Sequence, residues 1–210
     1  MPAYNLELIA IKRHCRILPN QLFLNGELLF ESAQKVGGMH DFLSEIYNYL
    51  GIDYRKFFKM DALSKTGFLA SELLLKDFER EQPKEDMGII FFNRSSSLDN
   101  DEAYQQTIQD FPSPAVFVYT LPNIVAGEIA IRNKIHGETA FFITQNFQAG
   151  IIDEIARGAF CHSGLKYLLT GWIEVYRGEM DVCMILCEVG EDNLIKLNTE
   201  NIEKIYHNTL

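Results

Sequence analysis

The sequence lacks any apolar run long enough to cross a membrane. A spanning helix needs about 18 consecutive apolar residues, and no stretch of the 210 residues reaches that length. The N-terminal stretch MPAYNLELIAIKRHC also lacks the basic segment and apolar core of a secretory signal. We therefore expect a cytoplasmic protein without membrane contact. The length and the 47% hydrophobic content suffice for one buried core, so we predict a single domain over residues 1–210.

The sequence also lacks the cysteine and histidine patterns of a metal site. Its four cysteines form no C-x-x-C pair, and no cluster has zinc-finger spacing. Cys183 and Cys187 lie in an apolar run, where small buried side chains are the better interpretation. Cys161 and His162 are only neighbours in sequence, whereas catalytic pairs are assembled in space. We expect no metal and no cofactor.

Basic residues are scarce, because 19 Lys and Arg stand against 29 Asp and Glu, which gives a formal charge of −10. A nucleic-acid-binding protein is expected to carry a basic stripe, and this sequence has none. An acidic protein partner would have to dock on a local basic patch instead. The candidates are Arg55, Lys56 and Lys59, or Arg132 and Lys134, and ordinary solvated surface is the alternative interpretation for both groups.

Predicted strands alternate with predicted helices along the chain. The run QLFLNGELLFE predicts a β-hairpin, because Asn25-Gly26 favours a type I′ turn between two short apolar runs. Apolar strands are predicted at Gly88 to Phe92 and at Ala140 to Thr144, with helical spacing between them. This order predicts an α/β fold built on a layered sheet.

The segment from Phe111 to Gly150 carries most of the functional information. It predicts a loop, a helix, a glycine turn, a buried strand and a second helix entered just after Gln145-Asn146. At such a strand-to-helix junction, backbone N–H groups and the positive end of the helix dipole stabilise an anion, so a nucleophile would lie there. Thr144 is the nearest hydroxyl, but no base adjoins it, and we interpret it as structural.

Within this segment, Pro122-Asn123, Ala126-Gly127 and Gly137 resemble a motif of the β-ketoacyl-acyl carrier protein synthases, which belong to the thiolase superfamily. In that family a Gly-led strand runs into the active-site cysteine at a helix start. Counting from Gly137, the nucleophile position falls on Asn146, or on Gln145 if the alignment slips by one. An amide cannot form an acyl-enzyme. The resemblance therefore implies a protein like the chain length factors, without the catalytic cysteine.

The resemblance covers residues 54–190 and implies the fold. It implies a thiolase-like half-domain, the N-terminal half of a synthase, with a five-stranded mixed sheet and helices on both faces. Residues 1–53 are a divergent N-terminal region with a β-hairpin extension, and residues 191–210 add a C-terminal helix. The family dimerises by pairing one strand across a two-fold axis, and Gly88 to Phe92 is the matching strand. The family's catalytic histidines belong to the second half, and none of the five histidines here falls in a corresponding motif.

Three functions follow from this resemblance. The first is an inactive synthase-like accessory subunit in fatty-acid, polyketide or polyene-type biosynthesis, with a full-length synthase or an acyl carrier protein as its partner. The second is an acyl-thioester-binding module. The third is residual thioester decarboxylation or acyl transfer, because amides can stabilise a developing enolate. The candidate ligand-binding residues are Asn123, Phe142, Thr144 and Phe147.

Overall fold

One mixed sheet runs through the protein. The computed structural model describes residues 9–33, 38–109, 111–190 and 194–210. The strands are β1 (Ile9–Leu18), β2 (Gln21–Leu24), β3 (Glu27–Glu31), β4 (Met87–Asn93), β5 (Thr139–Ile143), β6 (Tyr167–Tyr176), β7 (Glu179–Val189) and β8 (Ile195–Lys196). In space they follow the order β3-β2-β1-β7-β6-β4-β5, and β8 pairs with β1.

Over the residues that the structure describes, the sheet has eight strands, so the expected number of five is wrong. Strands β1, β7, β6, β4 and β5 form the mixed part, in which β4 runs parallel to both β5 and β6. The predicted N-terminal hairpin is present as β2 and β3, but it continues the sheet because β2 pairs antiparallel with β1. The hairpin and β8 account for the three additional strands.

The hairpin turn has the backbone conformation that its sequence predicts. Asn25 has a φ of 51° and Gly26 a φ of 82°. A type I′ turn requires positive φ at both central residues, and Asn and Gly adopt this conformation most readily. The turn therefore fixes the register between β2 and β3 from local sequence alone.

Helices cover both faces of the sheet, as predicted. On one face lie α1 (Met39–Tyr49), α2 (Ala62–Leu74) and α5 (Ile124–Asn133). On the other lie α6 (Ala149–Ser163) and α7 (Thr199–Tyr206). Two further helices, α3 (Leu98–Thr107) and α4 (Pro114–Phe117), belong to the connection between β4 and α5. Alternate residues of each central strand enter the two apolar clusters, which is why these strands are apolar along their whole length.

Two residues explain where α2 begins and how it packs. Asp61 caps its first turn, since the carboxylate accepts the Ser64 N–H at 3.0 Å. Gly67 faces α5, and a Cβ at this position would lie only 2.4 Å from the Val125 side chain. The two helices therefore pack more closely than a larger residue would allow.

The position of β4 contradicts the expectation that Gly88 to Phe92 pairs across a dimer axis. β4 is hydrogen-bonded to β5 on one side and to β6 on the other, so both of its backbone edges are used within the chain. A short apolar strand can have the same residue pattern inside a sheet as at its edge, so the sequence did not distinguish the two positions. The outermost strand at this end of the sheet is β5.

Among the described residues, no single helix is both long enough and apolar enough to span a membrane. Two consecutive helical segments, Pro114–Thr120 and Ile124–Asn133, meet the criterion jointly by length and composition, with a bend of 100° between them. Val125 and Ile129 of the second segment are buried in the apolar cluster that covers one face of the sheet.

Candidate functional site

The junction predicted to hold a nucleophile lies between β5 and α6. The Thr144 N–H donates to the Asn93 carbonyl at 2.8 Å, which continues the pairing of β4 and β5. The Thr144 hydroxyl donates to the Asn146 carbonyl at 3.0 Å and holds the loop. α6 begins at Ala149, so Asn146 precedes the first helical turn. The side chains of Gln145 and Asn146 are exposed, and the junction therefore presents amides to solvent.

A cleft of about 330 Å³ opens beside Asn146. It is bounded by the loop after β5, by the joined ends of β6 and β7, and by α7. Its aromatic lining consists of Phe147, Trp172, Tyr176 and Tyr206. Its charged lining consists of Arg94, Glu174, Glu179 and Asp181.

Phe147 connects this loop to α7. Its ring stacks on Tyr206, with centroids 3.8 Å apart and an interplanar angle of 8°, and it meets Trp172 edge-on at 6.2 Å. Tyr206 donates its hydroxyl proton to Asp181, and the Arg16 guanidinium lies 4.6 Å from the Tyr206 ring centroid. Burial, together with the hydrogen bond to Asp181, raises the pKa of Tyr206. Tyr206 therefore stays protonated and acts as a hydrogen-bond donor that fixes the end of α7.

Glu174 organises the loop that follows β4. Its carboxylate accepts the backbone N–H groups of Arg94 and Ser95 at 2.7 and 3.1 Å, and it also accepts the Ser95 hydroxyl. The Arg94 guanidinium lies 3.8 Å from the same carboxylate. Because both oxygens of Glu174 are engaged, this residue holds a loop and is not a free general base.

The structure brings only part of the predicted site together. Asn146 and Phe147 line the same cleft. Phe142 is 39% exposed on β5 and lines a separate groove of about 260 Å³ against α6. Asn123 is exposed at the start of α5, where its side chain makes no capping hydrogen bond. The four ligand-binding candidates therefore lie apart. Phe147 lines the cleft, Phe142 lines the groove, Thr144 is engaged in the loop and Asn123 is at the surface.

Sequence reasoning missed Arg16, Asp181 and Tyr206. These residues come from β1, β7 and α7, so their meeting depends on the tertiary fold. The one local signal was Arg16 itself, which stands between Cys15 and Ile17 in an apolar strand. A buried arginine requires a partner, and Arg16 finds it in Asp181 at 2.8 Å.

Cysteine and metal chemistry have little support in the described part of the chain. No group of three or more His, Cys, Asp or Glu side chains there could hold a metal ion. Cys15, Cys183 and Cys187 are buried, and burial raises the pKa of Cys183 to about 12. A thiol with such a pKa is a poor nucleophile at neutral pH. Cys161 is exposed but lies near the far end of α6.

No protein-family model matches the chain, and no curated protein matches it. Solved structures match it by fold. The ishigamide ketosynthase/chain length factor aligns with 88% of this chain and 63% of its own, with a TM-score of 0.59 and 17% identity. The ketosynthase ApeO in complex with its chain length factor ApeC, from Xenorhabdus doucetiae, aligns with 95% of this chain and 90% of the matched chain, with a TM-score of 0.56 and 13% identity.

A third similar structure is a type II PKS acyl-carrier protein in complex with its ketosynthase. It aligns with 86% of this chain and 63% of the matched chain, with a TM-score of 0.57 and 14% identity. This chain therefore spans 63% of the length of two of these matched chains and 90% of the other. Identities this low establish the fold alone. The protein has the thiolase-like fold of the ketosynthases and chain length factors, which confirms the resemblance in fold.

Proposed function

We propose that this protein is a ketosynthase-like accessory subunit in polyketide or fatty-acid biosynthesis and forms a complex with a ketosynthase. The similar structures support this proposal, because two of them are named for a ketosynthase with a chain length factor and one for a ketosynthase with an acyl-carrier protein. An acyl carrier protein is the second expected partner. In this proposal residues 1–210 act as one domain, since a single sheet joins the N-terminal strands to the core.

The observation that carries the proposal is the pair of amides at the strand-to-helix junction. Gln145 and Asn146 lie in the loop between β5 and α6, which in the resemblance to the synthases is the position of the reactive thiol. Neither amide can attack a thioester and hold the acyl group. The nearby Thr144 hydroxyl donates to the Asn146 carbonyl. These features support a subunit that does not itself condense acyl chains.

The edge strand β5 supplies a surface for the ketosynthase. Within the described part of the chain, β5 pairs only with β4, which leaves its outer backbone edge open. Phe142 and Ile143 are 39% and 51% exposed on this strand. An uncovered apolar edge strand is a site for pairing with another chain. We therefore assign the dimer interface to β5, in place of Gly88 to Phe92.

The test is co-expression of this chain with ketosynthases of its own organism, followed by co-purification and measurement of the Kd. The variant Ile143→Lys is expected to weaken the complex about tenfold or more, because a buried lysine would lose its hydration at the interface. Leu28→Lys is the matched control, since Leu28 is 50% exposed on β3 at the opposite edge of the sheet. An equal loss of binding in both variants, or a wild-type chain that binds no ketosynthase at micromolar concentration, would contradict the proposal.

A further inference from the structure

The open edge of β5 presents a regular set of backbone groups. The Ile89 N–H donates to the Glu138 carbonyl and the Thr144 N–H donates to the Asn93 carbonyl, both at 2.8 Å. Because the backbone groups of successive strand residues point to opposite sides, the even-numbered residues of β5 bond to β4. The outward N–H and C=O groups therefore belong to the odd-numbered residues Thr139, Phe141 and Ile143.

The groove of about 260 Å³ borders this edge on the face of the sheet that carries α6. Side chains alternate along a strand, so Ala140 and Phe142 both point to this face and line the groove. The α6 side of the groove includes Gly158, where a Cβ would meet no atom within 4 Å. The groove is therefore open because residues 140 and 158 are small, whereas Phe142 beside it is large and 39% exposed.

Antiparallel pairing of β5 with a second copy of itself matches both features. A two-fold axis at Phe141 places Thr139 opposite Ile143 of the second copy, so every outward backbone group of the strand gains a partner. The same register places Phe142 of each copy opposite Ala140 of the other, in a pair without hydrogen bonds, whose side chains lie closest together. An axis at Ala140 or at Phe142 would instead oppose two small or two large side chains and would leave some outward groups without a partner in β5.

We propose that this protein also self-associates through β5, with Phe142 of each copy seated in the groove beside Ala140 of the other. On the opposite face the two Phe141 rings meet across the axis, and aromatic pairs of this kind stabilise antiparallel strands. The strand carries no charge, so two acidic molecules meet at an uncharged surface. Because a ketosynthase would use the same edge, which rests on the proposed function, the homodimer covers β5 until a ketosynthase replaces the second copy.

The test is sedimentation equilibrium of the full chain alone over a series of concentrations. The average mass of the wild type is expected to rise from that of one chain toward that of two and to stop there. The data give the Kd of the dimer for the wild type and for each variant. Native mass spectrometry of the same samples identifies the dimer and any bound ligand.

The variant Gly158→Leu closes the groove without changing β5. It is expected to weaken the dimer about tenfold or more, because the added side chain occupies the space that Phe142 of the second copy would enter. Leucine is a better helix former than glycine, so the variant is expected to fold. Gly150→Leu is the matched control in the same helix, since a Cβ there would lie 3.9 Å from the Thr199 side chain and thus faces α7. The control is expected to leave the Kd of the dimer unchanged.

A mixture of two variants tests the contact directly. Phe142→Ala is expected to weaken the dimer about tenfold, because both grooves would stay empty. An equal mixture of the Gly158→Leu and Phe142→Ala chains is expected to dimerise about fivefold more tightly than either variant alone. In the mixed dimer one groove receives Phe142, and in the other groove the added leucine occupies the space of the missing ring. Thermal unfolding verifies that each variant is folded.

A wild type that keeps the mass of one chain up to a concentration of about 0.1 mM would overturn the inference. Equal dimer affinity of the wild type and Gly158→Leu, or a mixture that dimerises no better than its two components, would also overturn it. A single chain that carries an acyl ligand in the native mass spectrum would assign the groove to that ligand, with the same consequence. These measurements use this chain alone, so a dimer that binds no ketosynthase would contradict only the proposed function.

Discussion

Gly171 shows at the scale of a single residue how the sheet depends on the absence of a side chain. It lies within β6 with a φ of 137°, and a Cβ would be 2.1 Å from the Cys183 carbonyl oxygen on β7. Gly137 is similar, because its Cβ would lie 2.2 Å from the Met87 carbonyl oxygen. Both glycines lie within residues 54–190, the range covered by the resemblance to the synthases. Their presence therefore has a steric reason in the fold, separate from any role in chemistry.

The variant Gly171→Ala tests this steric reason. It is expected to lower the free energy of unfolding by about 3 kcal/mol or more, because it adds a clash to an unfavourable φ. Gly178→Ala is the control, since Gly178 has a φ of 81° in the turn between β6 and β7 and its Cβ would meet no atom within 4 Å. The control variant is expected to lower the free energy of unfolding by about 1 kcal/mol, because only backbone strain is added. Urea unfolding of both variants gives the two values, and equal losses would contradict the steric argument.

His14 makes the stability of the protein sensitive to acid. It is 3% exposed in β1, and burial lowers its pKa from 6.5 to about 4. The unfolded chain therefore takes up a proton near pH 6.5, whereas the folded chain takes it up only near pH 4. The stabilisation is complete above about pH 7 and is lost as the pH falls from 6.5 to 4, by up to about 3 kcal/mol.

Urea unfolding of the wild type and of His14→Leu at about pH 7.5, 5.5 and 4.5 measures this contribution. The wild type is expected to lose more stability than the variant on acidification, because only the wild type carries a buried imidazole. The same slope with pH in both proteins would show that His14 does not cause the sensitivity.

At the scale of secondary structure, the end of α5 is held by a lysine from a distant loop. The Lys84 ammonium donates to the carbonyls of Glu79, Gln82 and Asn133 at 2.7, 2.9 and 2.7 Å. Asn133 is the last residue of α5, whose terminal carbonyls lack partners within the helix. The positive charge of Lys84 also suits the negative end of the helix dipole. This one side chain therefore joins the segment before β4 to α5.

Lys84→Met is expected to destabilise the protein by about 2 kcal/mol, because buried carbonyls lose a charged donor while the apolar part of the side chain is kept. Lys166→Met is the control, since the Lys166 side chain is 63% exposed and its one ion pair among the described residues is with Asp86 at 3.3 Å. Its expected effect is below about 0.5 kcal/mol. Thermal unfolding of the two variants compares them directly, and similar melting temperatures would contradict a structural role for Lys84.

The sequence predicted features that depend on adjacent residues better than it predicted which distant segments lie side by side. The Asn25-Gly26 turn is set by adjacent residues and is confirmed, and the Asp61 cap of α2 is equally local because it joins residues three positions apart. The strand Gly88 to Phe92 was predicted as a strand, but its interior position depends on pairing with two distant segments. The cleft likewise could not be predicted from local sequence, because Phe147 contacts Tyr206 only when α7 packs beside α6.

At the scale of the whole molecule, the same fold occurs in matched chains of different lengths. The match to a chain of the ApeO–ApeC complex covers 95% of this protein and 90% of that chain, so this fold also occurs in a chain of comparable length. The formal charge of −10 is spread over a surface whose basic residues are mostly paired, for example Lys56 with Glu128 at 2.7 Å and Arg132 with Glu72 at 3.3 Å. The predicted basic patch around Arg132 is thus largely neutralised.

The two edges of the sheet are protected unequally in the described part of the chain. β3 has glutamates at both ends, Glu27 and Glu31, whereas β5 ends in the exposed apolar residues Phe142 and Ile143. Charged residues discourage pairing at an edge, so association should proceed through β5 alone. A fibre requires two adhesive edges on each subunit, and this molecule offers one. Growth by strand pairing should therefore stop at two subunits and give no polymer.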